Sequence, residues 1–388
     1  MKKVVILESE EKTNYIRGRG IPKGCKYCLK GAKAVLFLNG ICQKPKICFW
    51  YCPLSENRKD KSLTFANEIE ISTEAELLDE INKMNAKGMS ITGGEPLSEF
   101  NLKKTINYLR YIKLKKGKKF HIHLYSNGMN FNEKIAKKLA KEKLDEIRFH
   151  LPKERWSNFE LALNKGMSVG AEVPVVPDYD HIQNIKELIF YLDEIGADFI
   201  NLNEFEYCFP NSQSLKDRGF HLKRGSIASV VNSQEAALDL IREIAPKVSI
   251  KIHFCSTKAK DYYQLRNRYI RRAKNIKLPF EVINDDGLLI YAQIEGEPRE
   301  LANLYNLILT KTKLNENQIN FDNKAIQLPF YIAIDDYFLS LLEIYKLKAY
   351  IIECTPFRDS KYRQETEKTP INLFKKEFGF NENKESNS

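Results

Sequence analysis

Three cysteines lie close together in the stretch Cys42-Gln-Lys-Pro-Lys-Ile-Cys48-Phe-Trp-Tyr-Cys52. The apolar run Ala34-Val-Leu-Phe-Leu38 and the dipeptide Asn39-Gly40 come directly before it, and they predict a buried strand followed by a turn. Cysteine sulfur prefers soft metals, so three thiolates in one loop suit an iron–sulfur cluster, zinc or copper(I). Taken alone, the stretch fits either a cluster loop or a zinc knuckle.

A second motif follows in the stretch Met89-Ser-Ile-Thr-Gly93-Gly94-Glu95-Pro96. It reads as a short apolar strand that runs into a Gly-Gly-Glu-Pro turn. The glycines allow the backbone to approach a ligand closely, and carbonyl groups together with the Glu95 carboxylate can accept hydrogen bonds from an ammonium group. Such a turn does not by itself indicate a binding site, but its occurrence after a three-cysteine loop makes a shared ligand site more credible.

The two motifs together resemble those of radical S-adenosylmethionine (radical SAM) enzymes. The usual loop of that family has three and then two residues between its cysteines, whereas the gaps here are five and three. Tyr51 keeps the aromatic position before the third cysteine, and the separation of the two motifs matches. The resemblance covers about residues 34–205, extends at most to 255, and is nearest to archaeal proteins related to pyruvate formate-lyase activating enzymes.

The resemblance implies a [4Fe–4S] cluster held by Cys42, Cys48 and Cys52, with its open iron chelating the amino and carboxylate groups of SAM. One electron from a separate donor then cleaves SAM to methionine and a 5′-deoxyadenosyl radical, which abstracts hydrogen from substrate. Residues at the motifs and at the end of a third strand are expected to bind SAM. They are Gly93, Gly94, Glu95, Pro96, Tyr51, Ser126 and Asn127.

Strand and helix patterns alternate from residue 34 onward, which predicts parallel strands joined by right-handed crossovers. The predicted strands span 34–38, 89–92, 120–128 with its polar turn, 146–151, 167–176 and 199–205. With the family resemblance, this pattern predicts an α/β fold in the form of a partial (β/α)6 barrel. Such barrels carry their chemistry at the carboxyl ends of the strands.

That rule nominates further residues beyond the two motifs. Glu172 lies mid-strand among apolar residues, so it either joins the network that binds SAM or faces outward, since an unpaired buried carboxylate is costly. His150, Asn203 and Glu204 lie near the ends of two strands and are candidates for substrate contacts.

Four more metal-ligand residues occur as the pairs Cys25-Lys-Tyr-Cys28 and His253-Phe-Cys255. If the two pairs meet, they can form a structural metal site such as zinc. Alternatively, Cys25 and Cys28 hold part of an auxiliary iron–sulfur cluster, or all four residues are reduced thiols and a histidine in a packed layer.

Composition favours a reducing compartment. The eight cysteines are irregularly spaced and five of them crowd into residues 25–52, which indicates metal binding in the cytoplasm rather than a disulfide framework. The sequence holds no apolar run long enough to span a membrane, and the apolar start is too short for a signal peptide.

A basic segment raises the question of a nucleic-acid partner. The net charge is +11, and residues 247–277 carry ten Lys or Arg but only one acid, Asp261. Arg266, Arg268, Arg271 and Arg272 are expected on the outer faces of one helix, where their forked donors suit phosphate and therefore tRNA or other RNA. The alternative is a solvated helix.

The sequence predicts four segments: an N-terminal extension over 1–33, the barrel over 34–278, a small α+β domain over 279–376 and a disordered tail over 377–388. Four functions fit. RNA modification rests on the basic segment, whereas modification of a protein, including glycyl-radical activation, would use the C-terminal domain for docking. Modification of a small metabolite also fits, as does a non-enzymatic zinc protein that binds nucleic acid.

Overall fold

The structure is a computed structural model, and it describes residues 4–43, 46, 48–311, 314–322 and 324–379. The chain divides into two compact units, Met1–Leu265 and Arg266–Ser388. The tail predicted over 377–388 falls outside the described residues from residue 380 onward.

The first unit is built on an eleven-stranded sheet with the order β1-β2-β11-β10-β9-β8-β7-β6-β3-β4-β5. The seven strands from β11 to β3 are parallel, and antiparallel pairs flank them at both edges. The strands are β1 Ile6–Glu8, β2 Thr13–Ile16, β3 Lys33–Phe37, β4 Thr64–Ala66, β5 Ile69–Ile71, β6 Gly88–Thr92, β7 His121–Ser126, β8 Glu146–Phe149, β9 Ser168–Val175, β10 Phe199–Glu204 and β11 Lys251–Cys255. The α/β fold with a central parallel sheet is thereby confirmed, and the parallel part has one strand more than the six predicted.

Helices connect these strands. They are α1 Lys23–Leu29, α2 Glu74–Lys83, α3 Glu99–Lys116, α4 Glu133–Lys141, α5 Asn158–Ala162, α6 Tyr179–Glu194, α7 Ser212–Asp217 and α8 Ser233–Ile244. The local sequence determines where several helices begin. Thr73 and Glu76 form a capping box at the start of α2, and the side chains of Asn132 and Asp178 cap the first turns of α4 and α6. A 3₁₀ turn at Lys153–Arg155 and a π-helical turn at Ala259–Gln264 complete the connections.

The parallel strands present two different faces because successive side chains point to opposite sides of a sheet. In β8, Ile147 and Phe149 join the apolar core with the crossover helices. Glu146 and Arg148 point the other way, yet both are buried. Their paired neighbours in adjacent strands continue this second face, which we call the polar face: Ser90, His121, His123, Glu146, Arg148, Glu172, Asn201 and His253.

The N-terminal segment covers part of the polar face. The Gly24 amide of α1 donates a 3.1 Å hydrogen bond to a Glu146 carboxylate oxygen. A Cβ at Gly24 would overlap the His123 ring and the Arg148 guanidinium, so only glycine allows α1 to lie this close. The described residues of the predicted N-terminal extension over 1–33 therefore pack within the first unit.

The second unit is an α+β domain, as predicted. Its sheet is antiparallel, with the order β14-β15-β13-β16-β17 and with β12 paired to β13. The strands are β12 Val282–Ile283, β13 Leu289–Glu295, β14 Asn320–Phe321, β15 Ala325–Leu328, β16 Lys348–Cys354 and β17 Glu365–Pro370. The helices are α9 Leu265–Ile276, α10 Pro298–Lys311, α11 Phe330–Ala333, α12 Asp336–Ile344 and α13 Ile371–Glu377, with a 3₁₀ turn at Glu316–Gln318.

Helix α9 packs within the second unit, which moves the domain boundary to Leu265 from the predicted position near Leu278. Ala273 belongs to a buried apolar cluster with residues of β13 and β16. Arg272 is 3% exposed, its Nε donates to the Pro356 carbonyl, and its guanidinium lies over the Phe357 ring. Arg266 donates to the Asp285 carbonyl. The prediction that the arginines of α9 spread over outward faces is wrong for Arg272, because that side chain is used to bury the helix.

Within the described part of the chain, no helix is both long enough and apolar enough to cross a membrane.

Candidate active site

The Gly-Gly-Glu-Pro turn lies directly against the start of the cysteine loop. The Gly94 amide donates a 2.6 Å hydrogen bond to the Asn39 carbonyl, and the Glu95 amide donates a 3.0 Å bond to the Ile41 carbonyl. A Cβ at Gly93, whose φ is +137°, would lie 2.5 Å from the Asn39 carbonyl oxygen, and one at Gly94 would overlap the Ile41 carbonyl. The glycines thus allow the turn and the loop to pair, and this pairing fixes the residue before Cys42.

Asn101, near the start of α3, joins the same two segments. Its amide group donates to the Glu95 carbonyl at 2.9 Å and to the Ile41 carbonyl at 3.2 Å. It also exchanges hydrogen bonds with the Asn39 side chain, and both asparagines are 1% exposed. Asn101 was not predicted from the sequence, because an uncharged polar residue three positions after the helix-capping Ser98 gives only a weak signal.

The Glu95 carboxylate holds the end of the next strand. It accepts hydrogen bonds from the Ser126 hydroxyl at 2.7 Å, the Asn127 amide at 2.7 Å and the Leu97 amide at 2.8 Å. Burial raises the pKa of Glu95 to about 7, although these donors favour the ionised form. Much of its acceptor capacity is therefore used by the protein, and a direct contact between this carboxylate and SAM stays a prediction.

The cysteine loop brings two of its three cysteines to the wall of a cavity. Cys42 and Cys48 line that cavity. A hydrogen bond from Cys48 lowers the pKa of Cys52 to about 6, whereas burial raises the pKa of Cys42 to about 11. Across the described residues, no three or more His, Cys, Asp or Glu side chains are already positioned to hold a metal ion. The donor set of three thiols in one loop nevertheless fits a cluster with one open iron.

Aromatic packing supports the far end of the loop. Trp50 stacks on Phe220 at 6.1 Å between ring centroids, and Tyr51 packs edge-on against Phe205 at 5.9 Å. The Tyr51 hydroxyl lies 3.2 Å from His150 Nε2. The Asn211 amide group donates to the Tyr51 carbonyl at 3.1 Å, so the segment after β10 fixes the cysteine loop in place.

The cavity has a volume of about 280 Å³ and lies at the carboxyl ends of the parallel strands. It brings together most of the site residues that the sequence predicts. These are Cys42, Cys48, Tyr51, Gly93, Gly94, Glu95, Pro96, Ser126, Asn127, His150, Glu172, Asn203 and Glu204. Cys52 belongs to the same loop but is not in the cavity wall.

Arg148 is a cavity residue that was not predicted from the sequence. It forms ion pairs with Glu146 and, at 2.6 Å, with Glu172, and it is 2% exposed. Burial alone would raise the pKa of Glu172, but the Arg148 charge and hydrogen bonds from Asn203 and Asn201 outweigh it and hold that pKa below its ordinary value. Glu172 therefore faces the interior. A signal for Arg148 does exist in the sequence: it alternates with Ile147 and Phe149, which places it on the same face as Glu146.

The residues of the predicted second metal site also come together. Cys25, Cys28, His253 and Cys255 line a separate cavity of about 90 Å³ on the polar face. It shares several wall residues with the larger cavity, including Tyr125, Arg148 and Glu172.

Comparison with known proteins decides the family. A sequence model described as "Radical SAM superfamily" matches residues 15–152. A protein of Methanocaldococcus jannaschii, the "Putative glycyl-radical enzyme activating enzyme MJ0021", is 37% identical over 376 residues, which covers 90% of this chain and 93% of that protein. The chain belongs to the radical SAM superfamily. It is accordingly an enzyme that binds SAM and a [4Fe–4S] cluster.

Solved structures give more remote likenesses. SuiB of Streptococcus suis bound to the precursor peptide SuiA matches with a TM-score of 0.40 and 13% identity, over 58% of this chain and 48% of SuiB. HydG, a maturase of the [FeFe]-hydrogenase, matches with a TM-score of 0.38 and 14% identity, over 63% of this chain and 65% of HydG. The chain thus spans about half the length of SuiB, and likenesses at these scores carry no argument about activity.

Proposed function

We propose that this radical SAM enzyme acts on a protein substrate, as a glycyl-radical enzyme activating enzyme. The observation that carries this proposal is the relative from Methanocaldococcus jannaschii, which matches the chain across both units and bears that name. Because 90% of this chain is covered, the similarity includes the α+β unit as well as the first unit.

In this proposal the three loop thiols, Cys42, Cys48 and Cys52, are the cluster ligands. When bound, the cluster and SAM supply a one-electron cleavage that yields methionine and a 5′-deoxyadenosyl radical, which takes a hydrogen atom from substrate. The chain's own part is to position these groups. Pairing between Gly94 and Asn39 holds the loop beside the Gly-Gly-Glu-Pro turn, so the residues that would bind the cluster and those that would bind SAM share one edge of the cavity.

Charged side chains from β8, from β9 and from the segments after β10 and β11 also line this cavity. Arg148 pairs with Glu172, and the half-buried side chains of Lys260 and Glu206 form a second pair at 2.5 Å. Because each cation lies beside a carboxylate, these two pairs add little net charge to the cavity wall. His150 also stays uncharged near neutral pH, since burial lowers its pKa to about 4.

RNA modification is less well supported. It rested on Arg266, Arg268, Arg271 and Arg272, and of these Arg272 is buried inside the second unit. Modification of a small metabolite has no specific observation in its favour. RNA and metabolite modification are separate outcomes of the experiment below.

The test uses reconstituted protein with SAM and dithionite in an anaerobic extract from a strain that lacks the gene. We expect 5′-deoxyadenosine, and a glycyl radical on an extract protein that electron paramagnetic resonance detects. Oxygen should then cleave that protein at the radical glycine. A variant with Cys42, Cys48 and Cys52 all changed to alanine is the control and should give neither signal.

Two different results would contradict the proposal in distinguishable ways. Formation of 5′-deoxyadenosine together with a new modified nucleoside in the extract tRNA, and without a protein radical, would establish RNA as substrate. A changed metabolite in the same samples would favour a small-molecule substrate. Mass spectrometry of tRNA, proteome and metabolites from one reaction separates the three.

A further inference from the structure

Four side chains with metal-binding chemistry converge on the smaller cavity of the polar face. Cys25 and Cys28 come from α1, and His253 and Cys255 come from β11, where positions two apart share a face. Cys25, His253 and Cys255 are less than a tenth exposed. These residues are far apart in sequence, so the fold itself assembles the group.

The hydrogen bonds around Asn201 fix the state of the His253 ring. Asn201 Nδ2 lies 3.0 Å from a Glu172 carboxylate oxygen, which can only accept, so the amide nitrogen faces Glu172. Asn201 Oδ1 must then be the atom that lies 3.2 Å from His253 Nδ1, which has to carry the proton. The second ring nitrogen, Nε2, is therefore left with a free lone pair.

This lone pair has no protein partner. His253 is 1% exposed, and its Nε2 makes no hydrogen bond to any described residue. Buried polar atoms in folded proteins are nearly always satisfied, so the orphaned nitrogen indicates a missing partner. Histidine ligands of metals show the same arrangement, in which one ring nitrogen donates to a fixed acceptor and the other binds the ion.

The thiols receive N–H donors. Cys25 Sγ lies 3.4 Å from Arg148 Nη2 and 3.3 Å from Asn201 Nδ2, and Cys255 Sγ lies 3.7 Å from Gln264 Nε2. Donors aimed at sulfur stabilise a thiolate. A bound divalent ion supplies the charge that makes the thiolate form stable.

We propose that Cys25, Cys28, His253 and Cys255 bind one zinc ion. Three thiolates and an imidazole form a complete tetrahedral set for structural zinc, and the cavity of about 90 Å³ suits a single ion better than a second cluster. The described residues do not yet converge to coordination distance, and the same is true of the cluster-loop cysteines. Rotations of these side chains would therefore accompany binding.

Zinc at this position would link α1 to β11 across the polar face. The two cavities share Arg148, Glu172 and Asn203 in their walls, so the ion would also hold in place groups that line the larger cavity. This role is structural and does not depend on the substrate of the enzyme.

Metal analysis of the full-length protein tests the proposal. We expect about one zinc per chain in addition to the cluster iron, with zinc affinity reduced by at least about tenfold in Cys28→Ser and in His253→Gln. Both variants should keep the visible absorption of the cluster. Cys354→Ser is the matched control, because Cys354 is a buried free cysteine of the second unit, and it should keep its zinc.

Two further measurements keep the proposal testable if a variant fails to fold. The variant with Cys42, Cys48 and Cys52 changed to alanine should lose cluster iron but keep zinc, which separates this site from the active site. Cobalt should replace zinc in the wild type and give a thiolate-to-cobalt charge-transfer band. Wild-type protein without zinc, zinc retained in both Cys28→Ser and His253→Gln, or a second equivalent of cluster iron and sulfide would each overturn the proposal.

Discussion

The Glu95 carboxylate accepts a 2.7 Å hydrogen bond from the Ser126 hydroxyl, which joins the Gly-Gly-Glu-Pro turn after β6 to the end of β7. The same hydroxyl accepts from the Gly128 amide at 2.9 Å. One serine therefore organises the end of a strand and holds the carboxylate of the turn. Both residues line the cavity of about 280 Å³, so in the proposed function their geometry should affect both stability and SAM binding.

Ser126→Ala is expected to lower the free energy of unfolding by about 2 kcal/mol and to weaken SAM binding, because a buried carboxylate loses a donor. Urea denaturation and equilibrium dialysis with SAM measure the two effects. Ser90→Ala is the control, since the Ser90 hydroxyl makes only a 3.5 Å contact with the Ala34 carbonyl, and it should cost less than about 1 kcal/mol. Equal losses in the two variants would contradict the assigned role.

Asn101→Ala should both destabilise the first unit and reduce the iron content of the reconstituted enzyme. Removing the Asn101 side chain takes one donor from each of the Ile41 and Glu95 carbonyls and leaves the buried Asn39 amide group without its acceptor, at a cost of about 2–3 kcal/mol. Asn107→Ala on the same helix changes an exposed side chain and should stay within about 0.5 kcal/mol of wild type. Full iron loading in Asn101→Ala would show that the cysteine loop does not depend on this asparagine.

Arg148→Met should destabilise the first unit by about 3–5 kcal/mol, because it leaves two buried carboxylates without their cation. Arg242→Met is the matched control: Arg242 pairs with Asp239 at 2.6 Å, but its side chain is 63% exposed, and the expected loss is below about 1 kcal/mol. Chemical denaturation measures both. A loss for Arg148→Met no larger than that of the control would mean that Glu146 and Glu172 are not held by this charge.

His150 should make stability depend on pH in acid. Burial lowers the pKa of its ring to about 4 from an ordinary 6.5, so between these values the unfolded chain binds a proton that the folded chain does not. The free energy of unfolding therefore falls as pH drops from 6.5 to 4, by about 3 kcal/mol for this group.

The measurement compares unfolding of wild type and His150→Asn across that pH range, with the exposed His221→Asn as a control for loss of an imidazole. The stability difference between wild type and His150→Asn should shrink or change sign toward pH 4. A difference that stays constant with pH would show that the ring is protonated equally in both states.

Local sequence patterns determined much of the fold and of the site. Alternating apolar residues identified the parallel strands, and their order placed Cys42, Gly93 and Ser126 at one edge, because carboxyl ends of parallel strands lie together. The spacing of Cys25, Cys28, His253 and Cys255 likewise suggested one group, and all four line one cavity. These inferences needed periodicity, residue chemistry and the resemblance of two short motifs to a known family, all of which can be read from the sequence alone.

The tertiary structure alone decided which polar groups pair. Asn101 contacts Asn39 across a long sequence separation, Arg148 meets Glu172 through the register of β8 and β9, and Gly24 brings α1 onto the polar face. Arg272, which the sequence placed outside, is buried because α9 packs in the second unit. Burial of charge depends on which surfaces meet, and no local pattern encodes that. For this reason the sequence determined the family and the edge of the sheet at which the cavity lies. Only the folded chain determined which partners neutralise its buried charges.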